Sequence, residues 1–327
     1  MKFNISNQSN RVLEEIKEKG PIRSSELIKN LKVSDKTIYK HLSNLKDVGI
    51  IIKDGNAPEI YYTVNNKTDS NIKPITLNDL LIEQNYIYVS PSGHLTRGLS
   101  GLNAWCIKNK FDFNKEKVRF VKTYKSMEKF KENGLIKAKK RILSQKYKVD
   151  LDQIYFSDFY TMGYFGKTKL GQLVYISKSS QNKALGIEIA GIIKPSIESL
   201  ISKYDIKYIG YIPPTIDRKM QFIDVIKDTL KLTKHQIQIN KFPSSTKVAQ
   251  KTLKKLEDRI ENAANTIIVK PTQKIDGNVL LIDDATGSGA TLNEVSKKIR
   301  KLSVAKIKVI GYSIVGSYKG FDVISEV

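Results

Sequence analysis

Val279-Leu280-Leu281-Ile282-Asp283-Asp284-Ala285-Thr286-Gly287-Ser288-Gly289-Ala290-Thr291 runs straight into Leu292-Asn293-Glu294-Val295-Ser296, and the whole reads as strand, acidic turn, glycine loop and helix. The apolar run Val279 to Ile282 shows no polar alternation, as a parallel strand covered on both faces requires. Strands of that kind deliver ligand groups at their carboxyl ends. The two adjacent carboxylates there, Asp283 and Asp284, need hydroxyl donors, a divalent cation or basic side chains as partners. Gly287 and Gly289 let backbone N–H groups turn inward as an anion nest. Ser288 and Thr291 add hydroxyls, and the following helix points its N-terminus at the same place. Acids that can hold a diol, beside a loop that can hold a monophosphate, describe a site for a ribose 5-phosphate. An acidic turn in some other α/β domain is the alternative reading of these residues.

Around this stretch, residues 151–327 alternate between strand and helix patterns. Tyr164 to Gly171 precedes the stretch Leu173 to Lys178 and a helical region over 181–204, which Pro195 is expected to interrupt. Lys207 to Ile212 is a strand ending in Pro213-Pro214-Thr215. A helix with Phe222, Val225, Ile226, Thr229 and Leu230 inward follows. Then come a strand at 237–239, a helix over 247–260, a strand at 266–269 and the quoted stretch, and residues 305–315 close the sheet. Such alternation indicates an α/β domain with a mostly parallel sheet.

The chain has 327 residues, long enough for two or three domains, and 40% hydrophobic residues. No stretch approaches a membrane span, and the N-terminus MKFNISNQSN has no apolar signal core. Cys106 is the single cysteine, so no internal disulfide forms and a reducing cytoplasm is the expected location. A formal charge of +23 and a pI near 9.7 favour polyanionic partners such as DNA, RNA or pyrophosphorylated ligands. Lys, Asn and Ile are abundant throughout, which AT-rich coding would also produce, so charge supports nucleic-acid binding only where a motif does.

Residues 11–64 read as three helices and two strands. Val12, Leu13 and Ile16 mark one helical face, ended by Gly20-Pro21. A second helix holds Leu27, Ile28 and Leu31. A third starts at a Ser34 cap and turns Ile38, Leu42 and Leu45 inward, leaving Lys36, Thr37, Tyr39, Lys40, His41 and Ser43 outside. Ile50-Ile51-Ile52 and Ile60-Tyr61-Tyr62 form a hairpin around Asp54-Gly55-Asn56-Ala57-Pro58, with Lys53 beside its turn. This is the pattern of a winged helix-turn-helix, and residues 34–42 resemble the recognition helices of its bacterial members. The resemblance implies double-stranded DNA as partner, with Lys36, Thr37, Tyr39, Lys40, His41, Ser43 and Lys53 as contacts. A winged helix used for protein docking is the alternative.

Residues 65–74 are polar and read as a linker. Beyond it, Tyr86 to Val89 looks like a strand and Ser90 to Gly93 like a turn, and a basic helix is expected over 126–148 with Leu135, Ala138 and Ile142 inward. That helix is either a solvated face or a second nucleic-acid surface. Trp105 and Cys106 read as core, and His94 and His235 have no companions at metal-ligand spacing. The organisation expected is 1–64, a winged helix; 65–150, a linker and middle or hood region; and 151–327, an α/β domain.

The quoted stretch resembles the phosphoribosyl-pyrophosphate (PRPP) motif of type I phosphoribosyltransferases, and the element order over 151–327 is similar to their ComF-like branch. The resemblance implies that Asp283 and Asp284 hold the ribose hydroxyls, directly or through Mg²⁺, as catalytic and metal-binding residues. Thr286, Gly287, Ser288, Gly289, Ala290 and Thr291 would wrap the 5′-phosphate. Pro213, Pro214 and Thr215, with Arg218 and Lys167, would face the pyrophosphate. Thr246, Gln250, Leu253, Arg259 and Asn262 match the flexible region of that branch. The sequence departs from the motif at Ala285, where a larger aliphatic is common, and at Gly287, where a hydroxyl residue is common; the second change removes a phosphate contact. The layout resembles the purine-operon repressor family and other winged-helix/phosphoribosyltransferase fusions, some beside retron and phage-defence genes. It implies a PRPP-sensing regulator, a homo-oligomer or part of a larger complex; an active phosphoribosyltransferase is the alternative.

Overall fold

The computed structural model describes residues 7–47, 49–55, 59–64, 76–142, 147–214, 216, 218–242, 255–270 and 274–318. Thr215 and the 243–254 stretch, with Thr246, Gln250 and Leu253, lie outside the described residues, as does the 65–74 linker. The chain divides into two compact units, Met1–Ile75 and Thr76–Val327.

In the first unit, α1 (Asn7–Lys19), α2 (Ser24–Leu31) and α3 (Asp35–Asp47) pack with β1 (Ile22–Arg23), β2 (Ile51–Asp54) and β3 (Tyr61–Val64). The apolar positions recur at helical spacing, so Val12, Leu13 and Ile16 of α1 meet Leu27 of α2 and Ile38, Leu42 and Leu45 of α3 in one core. The strands form a sheet of order β1-β3-β2, in which Ile22 pairs with Tyr62 and Ile51 with Val64. Ser34 starts α3, its carbonyl accepting from the N–H groups of Thr37 and Ile38.

The second unit opens with α4 (Leu77–Asn85), β4 (Ile87–Val89), β5 (Leu95–Arg97), α5 (Gly98–Asn109), α6 (Phe113–Glu128), β6 (Lys131–Glu132) and β7 (Leu135–Lys137). It continues through β8 (Gln153–Phe159), α7 (Lys169–Ser179), α8 (Lys183–Lys203), β9 (Ile206–Tyr211), α9 (Phe222–Leu230), β10 (His235–Lys241), α10 (Leu256–Thr266), β11 (Ile267–Lys270), β12 (Asn278–Thr286), α11 (Ala290–Leu302) and β13 (Val309–Gly316). One sheet of order β11-β10-β9-β12-β13-β8-β7-β6 runs through it. Neighbours from β10 to β8 are parallel, and the two edges are antiparallel. Val279 and Leu281 face one core with Leu292, Val295 and Ile299 of α11, while Leu280 and Ile282 face the other with Ile193 of α8 and Ile226 of α9. A strand with helices on both faces accounts for the unbroken apolar run.

Four expectations are corrected. Residues 76–142 are no separate region: Ile82, Tyr86, Leu102 and Phe120 share a core with Phe156, Phe159 and Phe165 of the α/β framework. The 126–148 helix does not form. Instead α6 ends at Glu128, and Asn133 (φ 52°) and Gly134 (φ 75°) turn the chain between β6 and β7, the left-handed pair that a two-residue hairpin requires. Pro195 does not interrupt α8; it sits on the exposed face, so the Gly191 carbonyl that loses its donor is also on the solvent side. Residues 305–315 do not close the sheet, because β13 lies inside it, between β12 and β8.

Candidate functional site

The carboxyl end of β12 opens into a cleft of about 1050 Å³, counting its mouth. Asp283 is fastened locally: its Oδ1 accepts from the Asp284 N–H at 2.9 Å and its Oδ2 from the Thr286 hydroxyl at 3.4 Å. Asp284 Oδ2 accepts a charged hydrogen bond from Lys178 Nζ, at the end of α7. The Lys178 carbonyl in turn accepts from Arg218 Nη1 at 2.6 Å. The Ile212 N–H donates to the Ile282 carbonyl at 2.8 Å, which seats Pro213 and Pro214 beside the acids. Lys178 and Asp284 keep only 14% and 18% of their side-chain surface exposed, so their attraction is weakly screened.

Between β12 and α11 the loop is held from several sides. The Ser317 N–H donates to the Thr286 carbonyl at 2.9 Å, the Ala290 N–H to Ser288 Oγ at 3.4 Å, and the Asn293 N–H to the Gly289 carbonyl at 3.0 Å. Gly289 has φ 78°, and a Cβ there would come within 2.7 Å of the Ile142 Cβ. Only glycine meets both conditions, and it lets the chain turn tightly into the N-terminus of α11.

Asp283, Asp284, Thr286, Gly287, Ser288, Gly289, Ala290, Thr291, Pro213, Pro214 and Arg218 all line this cleft. Lys167 does not; its ammonium lies 4.1 Å from the Tyr175 ring centroid, and burial lowers its pKa. The family resemblance implies a pyrophosphate contact for it, but the fold turns it onto aromatic rings instead. Lys178 and Lys241 line the cleft without having been singled out in the sequence, since a lysine late in a helix or at a strand end carries no distinguishing pattern. Arg259, noted only through the family resemblance, lines it from α10 and is 7% exposed. Among the described residues, Lys178, Arg218, Lys241 and Arg259 thus bring four cations to a lining with two acids, a balance that suits a ligand with more than one phosphate.

No group of three or more His, Cys, Asp or Glu is placed to hold a metal among the described residues. The acid pair suits a cation that keeps most of its water and shares ligand oxygens, as Mg²⁺ does.

On the first unit, Lys36, Tyr39, Lys40 and Ser43 of α3 and Lys53 of β2 are exposed. Thr37 and His41 are half-buried and turned to internal partners: Thr37 Oγ1 lies 2.8 Å from Ser34 Oγ, and His41 Nδ1 lies 2.7 Å from Ser9 Oγ on α1. Residues 8–56 match the family model of an HTH domain. The N-terminal unit is a helix-turn-helix domain. Domains of this kind dock a helix into the major groove, and they belong to DNA-binding regulators. No curated protein matches the chain. Among the described helices, none is long and apolar enough to cross a membrane.

Proposed function

We propose that the chain is a DNA-binding regulator whose second unit binds PRPP or a related phosphoribosyl ligand together with Mg²⁺. The observation that carries this reading is the acid pair at the end of β12 standing beside a glycine loop at a helix N-terminus in a cationic cleft. Asp283 and Asp284 would accept from the ribose hydroxyls and hold Mg²⁺, which on binding would neutralise ligand phosphate charge. The loop from Thr286 to Thr291 would donate to the 5′-phosphate, and Lys178, Arg218, Lys241 and Arg259 would surround the pyrophosphate. Lys178 already compensates Asp284, so ligand binding would shift an ion pair rather than bury a bare charge.

A transferase that displaces pyrophosphate from ribose C1 would use the same residues, the acids supporting positive charge on the ribose and the cations the departing pyrophosphate. Gly287 in place of a hydroxyl residue favours the sensor.

The test is thermal melting of the full chain with PRPP and Mg²⁺. A ligand at about 100 times its Kd should stabilise the binding unit by about 2.7 kcal/mol. Asp283→Asn with Asp284→Asn should keep the fold and lose this shift; a double variant that responds like the parent would refute the site. Pyrophosphate release from PRPP above the double-variant background, with any base, nucleotide, tRNA or protein acceptor, would replace the sensor with the enzyme.

A further inference from the structure

Away from the cleft, the second unit carries a cluster of aromatic rings that the reading above leaves unused. Trp105 of α5 is half-buried, its ring centroid 5.2 Å from Phe111, 5.4 Å from Tyr164 and 5.3 Å from Phe165. Phe165 is part of the core and anchors the group, whereas Phe111 and Tyr164 are 39% and 49% exposed and lie 5.7 Å apart, tilted by 36°. The Arg119 guanidinium lies over Tyr164, 4.7 Å from the ring centroid. Large rings held at the surface by a buried ring form a rigid platform that loses little freedom when something stacks on it.

The surroundings of the platform are cationic. Lys108 and Lys110 are exposed just before Phe111, and α6 presents Lys115, Arg119 and Lys122 at positions i, i+4 and i+7, all exposed on the face that reaches Tyr164. Of the two acids nearby, Asp112 caps α6, accepting from the Lys115 N–H at 2.8 Å, and Glu116 is buried with one oxygen paired with Arg119, so the uncompensated charge of the row rests on Lys115 and Lys122 while Arg119 contributes its planar face over Tyr164. The remaining α6 lysines are turned elsewhere, Lys117 to Asp79 and Lys125 to Asn78. Exposed rings with a row of cations at their edge match a polyanion whose flat bases are unpaired, because bases in a duplex do not offer their faces to a protein surface. We propose that this face binds single-stranded nucleic acid, its bases stacking on Phe111 and on the Arg119–Tyr164 pair and its phosphates following Lys115, Arg119 and Lys122.

Trp105 is the only tryptophan of the chain and touches both exposed rings, so its fluorescence reports on the platform directly. Labelled dT20 and U20, and a 20-base-pair duplex, would be titrated into the full chain. The expected result is saturable binding of the single strands with quenching of Trp105; comparable binding of dT20 and U20 means the site reads bases and phosphates, and a preference for U20 means it also reads the 2′-hydroxyl. Phe111→Ala with Tyr164→Ala should weaken single-strand binding by about 10- to 100-fold and leave duplex binding unchanged. Because that pair loosens ring packing, Lys115→Glu with Lys122→Glu, both exposed, provides a second variant that should weaken binding and flatten its salt dependence while Trp105 emission of the free protein stays at the parent value. The proposal fails if single strands do not bind, or if they bind without quenching and equally well to both variants. It also fails if Lys36→Ala with Lys40→Ala abolishes single-strand and duplex binding together. Concentration-dependent self-association lost on Phe111→Ala would assign the face to a second copy of the chain instead.

Discussion

Lys36 and Lys40 on α3 stand in water, whereas Lys178 in the cleft is nearly enclosed and already bonded to Asp284. The helix-turn-helix unit holds its charge on a surface that salt can screen, over a core of apolar side chains. The cleft holds its charge among carbonyls, acids and loop residues, where Lys178 is placed by Asp284 and Arg218 by the Lys178 carbonyl. Substitutions on α3 should change binding through ionic strength and leave stability alone. Substitutions that strain the cleft loop or leave one of its enclosed charges unpaired should lower stability and change ligand response together, within a fold that is kept.

The largest effect is expected at Gly289. An alanine there would have to adopt φ 78° and press its Cβ against Ile142, at a cost of about 2–4 kcal/mol. Urea unfolding should show the loss in the second unit, and the PRPP shift should vanish with it. Ile142→Ala, itself a core truncation, should cost less in the Gly289→Ala background than in the parent, so the double-variant cycle should show coupling of about 1 kcal/mol or more. Additive losses would mean that the contact is not what excludes a side chain.

Lys178→Met tests the enclosed ion pair. Removing the lysine leaves Asp284 with its burial and without that partner, which should cost about 2 kcal/mol after allowance for residual solvent. The same change should make Mg²⁺ alone stabilise the protein more than it stabilises the parent, because the ammonium no longer competes for the carboxylate. An unchanged Mg²⁺ response would separate Lys178 from the metal site.

A buried charge with weaker compensation should behave differently again. Asp158, at the end of β8 and 16% exposed, has its pKa pushed up to about 6 from 3.8 by burial, against the pull of Lys131 at 3.7 Å. The folded state thus holds this proton to higher pH than the unfolded chain does. Its contribution is favourable in acid and is lost as pH rises from about 4 through 6, by on the order of 2 kcal/mol. Urea unfolding at pH 4 and pH 8 should show that fall, and Asp158→Asn should flatten it.

Legibility followed the source of each feature. The quoted strand could be read because Val279 to Ile282 face two cores through four consecutive apolar residues, and α3 because Ile38, Leu42 and Leu45 keep helical spacing over a polar face. The acids and the loop were legible because they are contiguous in the chain. Lys178 and Lys241 were not, since they reach the cleft from α7 and β10 through sheet topology, which no local pattern records. The 126–148 stretch differs for another reason: Leu135, Ala138 and Ile142 are buried as expected, but Asn133-Gly134 turns the chain beforehand and places Leu135 on β7, one strand in from the sheet edge, and the other two beyond it. An Asn-Gly pair in left-handed conformation sets the chain path more strongly than apolar spacing does. Helical phase places His41 on the outer face; its bond to Ser9 depends on where α1 packs, which no local pattern records.

The smallest expected effect, and the one that separates the two uses of charge most cleanly, lies on the first unit. Lys36→Ala with Lys40→Ala should leave its stability within about 0.5 kcal/mol, because both side chains are exposed and outside its core. If both contact phosphates, the slope of log affinity for duplex DNA against log salt should fall by about one for each lysine removed. A residue that reads a base edge would also relax sequence preference, by roughly 1–3 kcal/mol at one position. Lys53 of β2 serves as the internal comparison: at the phosphate backbone alone, Lys53→Ala should lower the slope by about one and leave preference untouched. A lysine pair whose removal changes neither slope nor preference would show that α3 docks protein rather than DNA, and the surface charge of this unit would then be a solvated face.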